Sequence, residues 1–135
     1  MLEKKSIKTG IVGADTSFLI DFFKGEKGAV EFMQKHAKLL RVSELVIYEF
    51  LCGNLTKEQK EMFFEAMQSF VTVTFNREAG VFASEMFRNA KDKGKEVGHQ
   101  DCMIAGSYVA HGVKLIVTRN DKHFKNINEV DVVMY

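Results

Sequence analysis

Ile11-Val12-Gly13-Ala14-Asp15-Thr16-Ser17-Phe18-Leu19-Ile20 is the stretch that decides the fold. Up to Ala14 its residues are small or β-branched and read as a buried strand. Beyond Asp15, Phe18, Leu19, Phe22 and Phe23 recur at helical spacing. Asp15 therefore stands at a strand-to-helix junction. In open α/β sheets the crevice beyond the carboxyl ends of the strands is where ligands collect. A carboxylate buried there is costly without a partner, and its natural partner is a cation.

The same alternation continues along the chain. A strand over 10–15 leads to a helix ending at Phe23, and Gly25 and Gly28 bracket a break. Val30, Phe32, Met33 and Ala37 predict a second helix ending near Lys38, followed by a short strand over 39–42. Ser43 caps the next helix, Glu44 suits the dipole of its first turn, and Gly53 stops it. Thr56 and Gln59 form a capping box for a helix reaching Gln68. A β-branched and aromatic strand occupies 70–75. Asn76 caps a long helix with Val81, Phe82, Met86, Phe87 and Ala90 on one stripe and Gly94 as its C-cap. After a loop over 95–98, a helix over 100–110 is stopped by Gly112, and strands follow at 113–118 and 130–134. Parallel strands need crossover helices, so this order predicts an α/β fold: a three-layer α/β/α sandwich around a mostly parallel sheet.

The 135 residues suit a single domain over 1–135. With 46% hydrophobic and 27% charged residues the composition is globular rather than disordered. A formal net charge of +1 provides no global attraction to nucleic acid or membrane, so contact with nucleic acid has to rely on a local basic patch. Cys52 and Cys102 both fall in apolar helical patterns and read as buried free thiols in a reducing compartment. No run approaches the roughly 18 apolar residues of a membrane span. Residues 1–9 read as a polar lead-in, and Met1-Leu2-Glu3-Lys4-Lys5 is too polar to open a signal peptide. The expected location is the cytoplasm, with no membrane contact.

Most of the 18 acidic residues sit among lysines on polar faces. Four positions differ. Asp15 ends the first strand, and Asn120-Asp121 follows the strand that ends at Val117-Thr118, so both lie at a carboxyl edge. Glu49 lies in a helix that is apolar nearly all round, and Asp101 shares a helical face with Ile104, Ala105 and Tyr108. Taken singly, each acid has an ordinary alternative: a helix cap, an ion pair, or for Asp121 a turn. Taken as a set, converging carboxylates repel unless a divalent cation sits between them, and oxygen-only ligands suit Mg²⁺ or Mn²⁺ better than zinc. Other arrangements fit less well. His36, His99, His111 and His123 are scattered, and His99 with Cys102 is only half a zinc spacing. No serine occupies a nucleophile elbow. Gly10-Ile11-Val12-Gly13 lacks the third glycine of a dinucleotide fingerprint, and there is no phosphate-binding P-loop. Ser17 stands where an aspartyl phosphatase often carries a second Asp.

Five stretches together resemble the PIN-domain family, and most of all its VapC-type toxins from prokaryotic toxin–antitoxin pairs. They are Ala14-Asp15-Thr16-Ser17-Phe18-Leu19-Ile20-Asp21; Val42-Ser43 through Tyr48-Glu49-Phe50 to Gly53; Asp101 through Ile104-Ala105 to His111-Gly112; Leu115-Ile116-Val117-Thr118-Arg119-Asn120; and His123-Phe124. They follow the family's order and span nearly the whole chain. The resemblance implies a metal-dependent ribonuclease that hydrolyses RNA phosphodiester bonds. It carries the acidic cluster to Asp15, Glu49 and Asp101, with either Asn120 or Asp121 at the fourth corner and one or two metal ions. Glu49 is the candidate for orienting or deprotonating the water, a wholly metal-bound role being equally open. Thr16 resembles the family's hydroxyl beside the first aspartate, placed to steady that carboxylate or a bound water. RNA is expected to meet Arg119 and Lys122, and the group Lys91, Lys93 and Lys95, for which a solvated helix end is the ordinary alternative. The resemblance further implies a small antitoxin and a homodimer; Phe22, Phe23, Phe63 and Phe64 suit a partner surface or the core about equally. A PIN nuclease of RNA maturation or turnover without an antitoxin, and a non-catalytic RNA- or protein-binding module, are the other readings.

Overall fold

The computed structural model describes residues 10–135, so the polar lead-in read over 1–9 lies outside the described residues. Strands β1 (Val12–Ala14), β2 (Leu40–Ser43), β3 (Val71–Val73), β4 (Leu115–Val117) and β5 (Asp131–Val133) form one sheet in the order β3-β2-β1-β4-β5. Every pairing is parallel. Helices α1 (Thr16–Phe23), α2 (Lys27–His36), α3 (Glu44–Leu51), α4 (Lys57–Met67), α5 (Arg77–Asp92) and α6 (His99–Ala110) make the connections. From β1 the chain steps one way to β2 and β3, then crosses to β4 and β5 on the other side. Right-handed crossovers taken in opposite directions place helices on opposite faces of the sheet, which accounts for three layers. The direction reverses between β1 and β4, and Asp15 and Thr118 directly follow those two strands. The crevice at such a reversal is the expected binding site of this architecture.

Local sequence signals account for most element boundaries. Ser43 accepts the Leu45 N–H, Asn76 accepts that of Ala79, and Thr56 and Gln59 make the reciprocal capping box. Other expectations need correction. Gly28 belongs to the first turn of α2, whose N-cap Glu26 accepts the N–H groups of Gly28 and Ala29. Short 3₁₀ turns occupy Ala37–Leu39 and Asp121–His123. Val81 is exposed, because the buried stripe of α5 is Ala79, Ala83, Met86 and Ala90. Cys52 is exposed at the C-cap of α3, where the helix has ended and its inward face no longer recurs; Cys102 is buried. The helix carrying Glu49, though apolar nearly all round, is not buried all round, since Tyr48 is 66% exposed. Of the four phenylalanines that suited either a partner surface or the core, Phe63 is fully buried and Phe22 and Phe23 pack on the core, leaving Phe64 exposed. Among the described residues no helix is long and apolar enough to cross a membrane.

The core joins both faces of the sheet. Val12, Val42, Ile116 and Val117 meet Phe18, Leu19, Val46, Phe63 and Ile104, all fully or almost fully buried. Each such side chain contributes about 1.5–3 kcal/mol. Two glycines permit the contacts that matter for the site. A Cβ on Gly106 would lie 2.6 Å from the Ala79 carbonyl oxygen, so its absence lets α6 rest directly on α5. A Cβ on Gly13 would lie 2.7 Å from the Tyr108 ring, so the ring of this fully buried tyrosine lies against bare backbone. The Tyr108 hydroxyl then accepts the Ser43 N–H at 3.0 Å and donates to the Ala14 carbonyl. Burial pushes its pKa well up, keeping it a neutral donor. Beside it, the Ser43 and Ser107 hydroxyls meet at 2.8 Å. One helix, α6, is thereby fastened to the ends of β1 and β2.

Candidate active site

Each candidate carboxylate stands on a different element. Asp15 is the N-cap residue of α1, yet its side chain makes no cap hydrogen bond. It is 4% exposed, and its Oδ2 accepts from the Thr118 hydroxyl at 2.7 Å and the Ser17 hydroxyl at 3.1 Å. Its Oδ1 has no hydrogen-bond partner among the described residues. Glu49 lies in the last turns of α3, half-buried, and its Oε1 accepts from the Thr16 hydroxyl at 2.5 Å. Thr16, expected beside Asp15, thus steadies the second acid instead. Asp101 lies in the first turn of α6, where Gly98 is the N-cap and no side chain caps the helix.

The Asp101 carboxyl is pushed up to about 6. Desolvation is the main cause, His123 opposes it, and the charges of Asp15 and Glu49 reinforce it. The three acids therefore share one electrostatic field, although β1, α3 and α6 are far apart in sequence. A raised carboxyl pKa means that the fold favours the protonated acid, so ionisation costs stability as pH rises from about 4 to about 6. Asp101→Asn is accordingly expected to stabilise the metal-free protein by about 1 kcal/mol at pH 7.5, after discounting for solvent screening. Thermal unfolding in chelator should show this gain shrinking to nothing below pH 4; an equal gain at both pH values would contradict it.

The fourth corner is divided. The Asn120 side-chain oxygen accepts the Lys122 N–H and so caps the 3₁₀ turn. Asp121 opens that turn, and its backbone carbonyl accepts from Phe124 and Lys125. From the same turn, His123 lowers the Asp101 pKa. Arg119 pairs with Asp21 at 2.8 Å, the one salt bridge among the described residues, and Tyr135 donates to the other oxygen of Asp21 at 2.5 Å. Lys122 is exposed and borders a cavity that also holds Asp101, Lys91 and Lys95; Lys93 does not line it.

Sequence reasoning did not single out Thr118 and Ser17 as the partners of Asp15. The available signal was slight: hydroxyl residues gather where β1, β2 and β4 end. Thr118 is fully buried, and Ser17 also accepts the Arg119 N–H at 3.0 Å, so the two hydroxyls stitch the α1 start to the β4 end.

The donor set is oxygen-only, as hard divalent cations require. Asp15 keeps one oxygen unengaged, and Asp101 has no hydrogen-bond partner for its carboxylate among the described residues. Among those residues, no three carboxylate, histidine or cysteine side chains lie close enough to enclose an ion as they stand. Asp15 and Glu49 each turn an oxygen to a neighbouring hydroxyl, whereas Asp101 does not. In chemistry the donors are those a hard divalent cation takes.

A family model described as the PIN domain matches residues 14–130. Ribonuclease VapC1 of Methanocaldococcus jannaschii is 28% identical over 134 residues, covering 99% of this chain and 91% of the relative. Among solved structures, DNA-bound VapBC from Salmonella typhimurium superposes with a TM-score of 0.80 at 21% identity, covering 93% of this chain and 98% of that one. VapBC2 from Rickettsia felis, bound to a DNA fragment from its promoter, gives 0.79 at 18% identity, covering 93% and 98%. These structural likenesses concern the fold.

Proposed function

The chain belongs to the PIN domain family, and from that premise we propose that it is a Mg²⁺- or Mn²⁺-dependent ribonuclease, the toxin of a toxin–antitoxin pair. One observation carries the reading: the charges of Asp15 and Glu49 both bear on Asp101, yet none of the three has a salt-bridge partner among the described residues. Structural carboxylates in such a setting are ordinarily paired. The likeness to a named VapC ribonuclease over almost the whole chain supports the same reaction.

Asp15, Glu49 and Asp101 would hold the ion, with Asn120 or Asp121 at the fourth corner. The bound ion supplies an acidified water and neutralises charge on the phosphate. Thr118 and Ser17 fix Oδ2 of Asp15 and leave Oδ1 unengaged; Thr16 fixes Glu49, which would orient the attacking water or accept its proton. Lys122, His123 and the open side of Arg119 offset the charge of the RNA. Because ligation needs the ionised acid, cation affinity falls as pH drops through about 6.

The solved VapBC neighbours are toxin–antitoxin complexes, and a similar inhibitor suits this chain. An apolar cavity of about 290 Å³ between α1 and α3, lined by Ile20, Phe23, Phe50 and Leu55, has Glu49 on its wall. A short hydrophobic segment seated there would block the site. We place the protein in the cytoplasm as a homodimer, measurable by light scattering.

The test is cleavage of single-stranded and structured RNA by the purified protein. Cleavage is expected with Mn²⁺ or Mg²⁺, lost in chelator and restored by Mn²⁺. Cleavage that chelator leaves untouched would overturn the metal dependence. No cleavage together with no calorimetric heat of Mn²⁺ binding would favour a non-catalytic binding module.

A further inference from the structure

Next to the acidic site, and sharing Asp101 with it, lies a cavity whose aromatic wall the proposed reaction leaves unassigned. Its volume is about 490 Å³, and it opens between the end of α5, the 95–98 loop and the Asp121–His123 turn. Phe87 and Val97 give it an apolar wall, and Lys91, Lys95 and Lys122 bring three ammonium groups to its edge. Phe87 is held rather than loose. His99 stacks on it with centroids 4.2 Å apart and planes 16° from parallel, and the Lys91 ammonium stands over the ring, 5.8 Å from its centre, where a stacking base would displace it outward. Phe87 also falls just off the buried stripe of α5, next to Met86, so the core does not need its outer surface.

A fixed aromatic wall with ammonium groups at the rim suits a ligand that is flat and aromatic at one end and anionic at the other. A nucleotide has that shape of charge, and the volume lies in the range of small-molecule sites. The ammonium groups outnumber the two acids lining the cavity, Glu96 and Asp101. An aliphatic anion would leave Phe87 and Val97 unused, and a neutral aromatic would leave the lysines unused. We propose that this cavity is a nucleotide subsite, in which the base of a residue neighbouring the scissile phosphodiester stacks on Phe87 while its phosphate meets Lys91, Lys95 and Lys122. The assignment to a residue of RNA rests on the ribonuclease reading; the recognition of base and phosphate does not.

Titration of the intact protein with AMP and, separately, with ribose 5-phosphate tests it. AMP should bind more tightly than ribose 5-phosphate and show nuclear Overhauser contacts between its base protons and the Phe87 ring. Phe87→Leu should weaken AMP about tenfold or more, as loss of base stacking does, while leaving ribose 5-phosphate unchanged. Phe87→Tyr should keep AMP affinity. Binding of both ligands should weaken with salt. Equal affinity for the two ligands in the wild type, or absent base–Phe87 contacts, would overturn the subsite even if Phe87→Leu proved unstable.

A second arm separates free nucleotide from RNA. In an oligonucleotide carrying one abasic residue at successive positions, cleavage by the wild type should fall at one position near the cut, and Phe87→Leu should show no further loss there. Uniform cleavage at every position would overturn placement of an RNA residue in the cavity. AMP contacts at Phe87 without any RNA cleavage would retain the subsite and remove the ribonuclease reading. RNA cleavage with AMP indifferent to Phe87→Leu would do the reverse.

Discussion

Asp15→Asn should slow RNA cleavage by about 10³-fold while leaving the fold intact. The substitution is nearly isosteric, and an amide oxygen still accepts from Thr118 and Ser17, whose hydroxyls now serve Oδ2. What disappears is the charge. A bound metal contributes several kcal/mol of charge stabilisation in the transition state, and each 1.36 kcal/mol is tenfold in rate. The loss should also relieve Asp101, whose pKa is raised partly by Asp15, so the variant's Asp101 should titrate lower. Single-turnover cleavage and calorimetric Mn²⁺ binding measure the first effect, and nuclear magnetic resonance of the carboxyl carbons measures the second. A variant that cleaves within tenfold of the wild type would remove Asp15 from its proposed place as anchor of the site.

Gly13→Ala should destabilise the protein by about 3 kcal/mol or more, with no change of polarity anywhere. The new methyl would stand 2.7 Å from three carbons of the Tyr108 ring, closer than carbon atoms pack. Overfilling a tight core costs about 1–3 kcal/mol. Displacing the ring also strains the hydrogen bonds from Ser43 to the tyrosine oxygen and from the tyrosine to Ala14. Each buried group left without its partner adds about 1–3 kcal/mol. Against the roughly 5–15 kcal/mol that typically holds a domain together, this is a large share. Urea unfolding provides the measurement. Because the clash is with one ring, the cost of Gly13→Ala should shrink to under about 0.5 kcal/mol in a Tyr108→Ala background. An unchanged cost in that background would show that the contact is not the cause.

The two predictions concern neighbouring residues, and they mark where reading the sequence succeeds and where it stops. Asp15 is legible because the signal is local: a β-branched run, a carboxylate, then a helical period. Gly13 is not. Next to Gly10 it invited comparison with a dinucleotide fingerprint, whereas its lack of a side chain serves a tyrosine 95 positions later in the chain, on α6. The hydroxyls show the same limit. Thr16 is adjacent to Asp15 in sequence but donates to Glu49, because the first turn of α1 points it across to α3. The donors to Asp15 are Ser17, two residues on, and Thr118, which no periodicity links to it.

The sequence alone determined the alternation of strands and helices, their caps and stops, and the four places where acids stand in apolar surroundings. These follow from interactions within a few residues: the period of a helix, a side chain reaching the next backbone N–H, a turn that needs glycine. Only the tertiary structure decided the strand order, with β1 between β2 and β4, and therefore which hydroxyls serve Asp15 and Glu49. It also brought His123 to where it acts on Asp101. Strand order is set by packing helices on both faces of a sheet and by close approaches such as Tyr108 on Gly13 and α6 on α5. Those contacts join residues that are distant along the chain, and local patterning carries no record of them.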